Sequence, residues 1–230
     1  MIEISGLVKT FGLRRVLRGL DLHIERGESV ALLGPNGSGK TTLLRILSGL
    51  SRPSAGQVTI GGWTLPNEAA AVRAHLGVMS HQPLLYGELT AEENLRFFAR
   101  LYSANPKRIT LLLDRVMLGA RAHDRVSDFS RGMQQRLSIA RALIHDPEVL
   151  LLDEPYTGLD VAGSALLDSL IGELRATNRT ILLITHDLDR ALALSDQIVI
   201  LNRGKITEVA ASDSLNPVSL HARYESLTNA

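Results

Sequence analysis

The chain has 230 residues, 45% of them hydrophobic and 21% charged, enough for one large domain with a sizeable core. Its 25 Lys and Arg nearly balance 24 Asp and Glu, which removes the electrostatic case for nucleic acid or an anionic bilayer as the main partner. The absence of cysteine excludes disulfides and thiolate metal sites and is compatible with a reducing compartment.

The first five residues lack the basic and then apolar profile of a signal peptide. The longest apolar stretches, at 149–152 and 181–184, are far too short to cross a bilayer, so a membrane span is expected only from another chain. Ile2-Glu3-Ile4 and Leu20-Asp21-Leu22-His23-Ile24 alternate as half-buried strands do. Ser29-Val30-Ala31-Leu32-Leu33 is a continuous apolar run that stops at Gly34, the pattern of a strand buried on both faces. A helix follows from Lys40 through Leu47 and ends before Gly49. Residues 57–60 and 76–79 have strand character. Thr90-Ala91-Glu92-Glu93 forms a capping box that opens a helix with Leu95, Phe98 and Leu101 as its apolar stripe.

From Pro106 to His145 the pattern is helical, with one break near 127–132 and no strand. Strand character resumes at 149–153, 180–185 and 197–202, separated by helical stretches from Val161 and from Leu188. Asn202-Arg203-Gly204-Lys205 fits a tight hairpin turn. The expected fold class is therefore α/β, with a mostly parallel sheet, an N-terminal antiparallel β part and an inserted helical subdomain. One domain is expected, with a core of 1–83 and 146–212, a helical insert at 84–145 and a tail at 213–230, whose Asn216-Pro217 gives no further signal.

Gly34-Pro35-Asn36-Gly37-Ser38-Gly39-Lys40-Thr41 matches the phosphate-loop pattern, and it sits between a predicted strand and a predicted helix as that pattern requires. Glycines let backbone amides turn inward as a nest, and the helix N-terminus adds its positive end, so phosphate oxygens are bound mostly by main chain. Lys40 is placed to neutralise the β- and γ-phosphates, and the Thr41 hydroxyl to coordinate Mg²⁺. Thr42 continues the same loop-to-helix junction. Val149-Leu150-Leu151-Leu152-Asp153-Glu154 puts two carboxylates at the end of an apolar strand. Since neighbouring strand residues point to opposite faces, two roles follow: Asp153 for Mg²⁺, and Glu154 as the general base that polarises an attacking water.

With these two motifs the chain, from about residue 1 to 210, resembles the ATP-binding cassette (ABC) family of ATPases, and further landmarks appear in that family's order. Phe11, in Lys9-Thr10-Phe11-Gly12, resembles the aromatic that stacks on adenine, with Val16 lining the same face. Gln82 resembles the glutamine that touches Mg²⁺ and the attacking water, on a loop that senses the membrane subunit. His186 resembles the switch histidine that contacts the γ-phosphate. Ser130-Arg131-Gly132-Met133-Gln134-Gln135-Arg136 resembles the family signature, usually Leu-Ser-Gly-Gly-Gln, with Phe129, Arg131 and Met133 departing from it. Ser130 and Gly132 keep the hydroxyl and the amide that would contact the γ-phosphate held by another subunit. Thr157-Gly158-Leu159-Asp160 resembles the loop that crosses the dimer, with Leu159 and Asp160 retained.

The resemblance implies an ATPase that binds ATP and Mg²⁺ and pairs head to tail, as a homodimer or with a related cassette. It also implies a peripheral subunit at the cytoplasmic face of the cell membrane, driving transport through a separate integral membrane subunit, with no nucleic acid partner. The runs Ser80-His81-Gln82-Pro83, Glu88-Leu89-Thr90-Ala91-Glu92-Glu93-Asn94-Leu95 and Glu154-Pro155-Tyr156-Thr157-Gly158-Leu159-Asp160-Val161, with the segment 49–56, resemble the haem exporter ATPases of cytochrome c maturation. Exporters of drugs, ions or polysaccharide share much of this and are the alternative. The main rival class is a soluble cassette acting in translation or in DNA repair and chromosome dynamics, but the tandem cassettes, long coiled coils, zinc cysteines and basic arms usual there are absent from this sequence. A third reading, an unrelated phosphate-loop kinase or GTPase, does not explain the run at 130–135 placed ahead of Asp153-Glu154.

Overall fold

The computed structural model describes residues 1–80 and 82–228. The chain opens with a long hairpin, β1 (Ile2–Phe11) and β2 (Arg14–Ile24), of which the sequence pattern marks only the inner ends. Register shifts between Ile4 and Leu7 and again beyond Lys9 interrupt the alternation, so the period-two signal fades well before the tip. With β4 (Ala55–Ile60) and β5 (Trp63–Leu65) these strands form an antiparallel sheet in the order β2-β1-β4-β5.

The second sheet runs β10-β9-β3-β8-β7-β6. Its strands are β3 (Ser29–Leu33), β6 (Leu76–Met79), β7 (Val149–Asp153), β8 (Thr180–Ile184), β9 (Gln197–Asn202) and β10 (Lys205–Ala211). All neighbours pair in parallel except β9 with β10, whose hairpin turn carries Arg203 and Gly204 at positive φ. β3, β7 and β8 are buried at every residue, which is why they read as unbroken apolar runs. The α/β class, with an antiparallel N-terminal part, is as expected.

Side-chain alternation along the central strands divides the interior into three packed regions. Val30, Leu32, Leu182 and Ile184 face the antiparallel sheet and helix α1 (Lys40–Leu47). Leu150, Leu152, Ile181 and Leu183 face a helical layer of α3 (Ala91–Leu101), α4 (Lys107–Arg115), α5 (Arg131–Leu143) and α6 (Val161–Ala176). Ala31, Leu33, Ile198 and Ile200 pack against α7 (Leu188–Leu194) and α8 (Pro217–Thr228). A small helix, α2 (Ala69–Ala74), precedes β6.

Three expectations need correction. The break in the helical insert is wider than 127–132: residues 116–130 hold only two single 3₁₀ turns, Gly119–Arg121 and Val126–Asp128. The apolar stripe of α3 keeps Leu95 and Phe98, which pack into the helical layer, but not Leu101. Leu95 is buried with Ala91, Asn94 and Ala99, whereas Leu101 is 64% exposed and lies on the outer face. The segment 213–230, silent as sequence, contains α8, whose Leu220 is fully enclosed and whose Leu227 carbonyl accepts from Asn202 Nδ2 at 2.6 Å. No helix among the described residues is long and apolar enough to cross a membrane.

Candidate functional site

Parallel strands deliver their following loops to one edge of the sheet, the place where open α/β sheets bind ligands. Here that edge receives the turn after β3, Gln82 after β6, Glu154 after β7 and His186 after β8.

The turn after β3 runs through 34–39 into α1. Two of its glycines are required by close approach. A Cβ on Gly34, at φ 151°, would lie 2.1 Å from the Leu201 carbonyl oxygen. A Cβ on Gly39, the N-cap of α1 at φ 118°, would lie 2.6 Å from Leu17 Cδ2. Lys40 arches back over the loop, its Nζ donating to the carbonyls of Gly34 at 2.6 Å and Pro35 at 3.1 Å. Burial lowers the pKa of this ammonium, while the charges of Glu154 and Asp153 oppose the shift. A phosphate arriving at the loop would compete with these two carbonyls for the half-buried cation. Ser38 Oγ is buried beneath the loop without a hydrogen-bond partner among the described residues.

An open groove of about 200 Å³ is lined by Asn36, Gly37, Gly39, Lys40, Thr41 and Thr42 from this turn and by Asp153 and Glu154 from the end of β7. Strand alternation predicts that the two carboxylates face apart, yet both border the same groove. The reason is that β7 ends at Asp153: Glu154 lies outside the strand at φ 50°, a left-handed turn that swings it back toward the site. Asp153 is 5% exposed and Glu154 is partly buried. The Glu154 amide donates to the Ile184 carbonyl at 2.9 Å, and its Oε2 lies 2.8 Å from His186 Nδ1. A carboxylate only accepts, so that contact makes Nδ1 the protonated nitrogen and leaves Nε2 for another partner.

A residue with no role assigned from sequence, Gln135, proves central. It is buried in the second turn of α5, and its Nε2 donates to the Pro155 carbonyl at 3.0 Å and approaches the Glu154 carbonyl at 3.5 Å. Its signal in the sequence was a polar side chain on the inward face of an otherwise apolar helix stripe.

The remaining predicted residues stand apart from the groove. Ser130 is the N-cap of α5, its Oγ accepting from the Met133 amide at 3.3 Å, and it is exposed at the helix tip with Arg131. Phe129 and Met133 pack into the helical layer, which accounts for apolar residues at those two departures from the signature. The Arg131 stem rests on Gly158, where a Cβ would come within 2.9 Å of it, and a Cβ on Gly132 would lie 3.0 Å from the Gly158 carbonyl. Asp160 caps α6, accepting from the Gly163 amide at 2.7 Å. Phe11 is 54% exposed at the end of β1, with Lys9 Nζ 4.8 Å from its ring centre. Val16 reaches the site more directly, its carbonyl 3.5 Å from the Cβ position of Gly39. Gln82 is exposed, and its carbonyl accepts from Ser80 Oγ at 2.7 Å. His81, within the same predicted motif, lies outside the described residues.

The chemistry of the donors tests whether Mg²⁺ suits the groove. Thr41 and Asp153 border it with hard oxygens, and the described residues contain no group of three His, Cys, Asp or Glu that would make an all-protein metal cage. That set fits Mg²⁺, which retains water and takes ligands from substrate phosphates, and does not fit zinc.

The chain is also similar to known proteins. Residues 17–157 match the family model described as ABC transporter. The chain is 39% identical over 206 residues to the ABC transporter ATP-binding protein NatA of Bacillus subtilis (strain 168), covering 87% of this chain and 84% of that one. It is 39% identical over 216 residues to the Nod factor export ATP-binding protein I of Paraburkholderia xenovorans (strain LB400), covering 92% and 71%. The dimeric structure of a post-hydrolysis state of the ATP-binding cassette MJ0796, bound to ADP and Pi, superposes with a TM-score of 0.86 at 28% identity, over 92% of this chain and 99% of that one.

Proposed function

Since this chain belongs to the ABC transporter family of ATP-binding ATPases, we propose that it is the motor subunit of an ABC-2 type exporter whose membrane-spanning part is a separate chain. The observation that carries the reading is the single groove joining Lys40 and Thr41 of the phosphate turn to Asp153 and Glu154 at the end of β7. Export is the process named for the Nod factor relative, which matches 92% of this chain.

In this reading the backbone amides of 34–39 and the N-terminus of α1 bind the β- and γ-phosphates, with Lys40 released from its two carbonyls to pair with them. Phe11 and Val16 hold the adenine end. Thr41, Asp153 and Gln82 are the residues that would hold Mg²⁺, which neutralises charge between the phosphates when bound. Glu154 takes the proton of the attacking water, and the bond from His186 Nδ1 orients its carboxylate. A γ-phosphate gives His186 Nε2 a second acceptor, so an imidazolium would span carboxylate and phosphate together.

Ser130 and Gly132 stand away from the chain's own groove at an exposed helix tip, which suits a γ-phosphate held by a second copy. Two copies packed head to tail then enclose two ATP molecules, with Asp160 and its loop at the interface; that the similar MJ0796 cassette forms a dimer supports pairing. The γ-phosphate is the contact that favours closure, and its loss on hydrolysis lets the pair open. The helical insert 84–145 presents exposed Tyr86, Phe97 and Leu101 on and before α3, an apolar face suited to a membrane subunit at the cytoplasmic side. Haem export remains a narrower version of this reading, resting on the sequence runs at 80–83, 88–95 and 154–161. The Nod factor relative favours the broader exporter reading.

Glu154→Gln tests the proposal. The variant is expected to bind Mg-ATP, to hydrolyse it at under about one hundredth of the normal rate, and to accumulate as an ATP-dependent dimer on gel filtration. Normal turnover would remove Glu154 from its role.

A further inference from the structure

Glu154 and His186 leave the ends of neighbouring strands. The Glu154 amide still bonds to the Ile184 carbonyl, but the side chains extend past that last backbone bond, so their 2.8 Å contact also depends on what holds the two segments from behind. On one side Gln135 anchors the Glu154–Pro155 backbone. On the other stands a cluster centred on Arg190, a residue of α7 with no part in the reading above.

The Arg190 guanidinium lies over the Tyr156 ring, 4.2 Å from its centre. Its Nη1 donates to Asp187 Oδ2 at 2.9 Å, and its Nε lies 3.8 Å from Asp168 Oδ1. Tyr156 closes the loop by donating its hydroxyl to the same Asp168 oxygen at 2.7 Å. Burial and that hydrogen bond push the Tyr156 pKa upward, so the hydroxyl stays protonated and able to donate. Tyr156 follows Glu154 by two residues, Asp187 follows His186 by one, and Asp168 belongs to α6. One side chain thus connects both catalytic segments to a helix of the core.

Capping α7 does not need this arrangement. The cap is made by the Arg190 backbone amide donating to Asp187 Oδ1 at 3.0 Å, and any residue at 190 other than proline would supply it. The guanidinium reaches further, to an aromatic face and to a second carboxylate on other elements. The Arg190 and Asp187 side chains are 34% exposed and Asp168 is 41% exposed, so the contacts are only partly shielded from screening.

We propose that Arg190 is a positioning residue for ATP hydrolysis, clamping the segment after Glu154 to the segment after His186 through the Tyr156 ring and the Asp168 and Asp187 carboxylates. The inference rests on the roles of Glu154 and His186 given above. Misplacing a reacting group by about 1 Å costs up to about 100-fold in rate, so the clamp should appear in kcat and not in nucleotide binding.

The test uses the purified full chain with Mg-ATP and compares Arg190→Ala, Arg190→Lys and Tyr156→Phe, with Glu154→Gln as reference. Arg190→Ala is expected to lower kcat by about 10- to 100-fold, with KM and ADP affinity within about two-fold of the parent. Arg190→Lys should recover part of the loss, because a lysine keeps the charge but not the planar stack. Tyr156→Phe should cost less, and should cost less still in the Arg190→Ala background, since the two act through one cluster. A normal kcat in Arg190→Ala, or equal damage to kcat and nucleotide affinity, would overturn the proposal. If Arg190→Ala does not fold, normal kcat in both Arg190→Lys and Tyr156→Phe would do the same. Glu154→Gln separates the layers: if it hydrolyses ATP normally, the underlying site reading falls, whereas an inactive Glu154→Gln beside a fully active Arg190→Ala defeats the clamp alone.

Discussion

Gln135→Leu replaces a buried amide by an apolar group of similar volume, so it tests a bond rather than a cavity. The bond at stake is the 3.0 Å donation to the Pro155 carbonyl; the 3.5 Å approach to the Glu154 carbonyl is at the limit of a hydrogen bond and contributes little. Leaving a buried carbonyl without its donor costs about 1–3 kcal/mol. For a chain of this length each kcal/mol lowers Tm by about 2–4 °C, so a fall of about 6 °C is expected. Catalysis should suffer separately. Glu154 occupies a left-handed conformation that costs a residue bearing a Cβ about 1–2 kcal/mol. That conformation is held by the 2.9 Å bond from its amide to Ile184, the 3.1 Å bond from the Thr157 amide to its carbonyl, and Gln135 behind the next peptide. Releasing one of these braces lets the carboxylate wander, and kcat should drop by about ten-fold. Thermal unfolding followed by circular dichroism and a coupled phosphate-release assay read the two effects on one preparation. Unchanged Tm together with unchanged kcat would show that Gln135 braces nothing.

Gly34→Ala would place a methyl 2.1 Å from the Leu201 carbonyl, so the turn or β9 must move. We expect ATP affinity to fall by about ten-fold or more in calorimetric titration, the equivalent of about 1–3 kcal/mol of overpacking. Leu220→Ala empties a fully enclosed position between α8 and the sheet and should cost about 2–4 kcal/mol in denaturant unfolding. Burial holds the His145 pKa down at about 4, against about 6.5 when unfolded. The unfolded chain therefore binds more protons between those values, and stability falls as pH drops from about 6.5 to about 4. The full shift would equal about 3 kcal/mol, and the partly exposed ring should realise about half of it. In His145→Phe, which keeps the stack on Tyr102, that part of the pH slope should vanish from denaturant midpoints.

What the sequence disclosed followed burial and steric rule. β3, β7 and β8 are enclosed on both faces and therefore appear as apolar runs. The phosphate turn was legible because glycine is forced at positions 34 and 39. The capping box at Thr90 formed as expected, with both of its bonds present. The outer hairpin was legible only where its register is regular, because each shift inverts the faces that alternation reports. Residues 213–228 gave no signal because α8 is weakly amphipathic, with Leu220 as its one enclosed side chain. At the site, period-two reasoning gave the two carboxylates separate roles but missed the left-handed turn at Glu154, because it treated the strand as continuing one residue further. The cluster of Tyr156, Asp168 and Arg190 was invisible for a different reason: three separate elements supply it, and no local spacing records their meeting.

Helix α5 has a tip and a flank that do different work. Gln135 lies two residues beyond Met133, whose amide bonds to Ser130 at the tip, so the element that would sense the triphosphate of the opposite copy is stitched to the backbone beside this copy's own base. In the proposed pair, each helix then reports the filling of one chamber directly to the reactive carboxylate of the other. In such a pair a stiff rod of this kind would make the two chambers fire in concert and would give a half-filled pair a structural reason to wait.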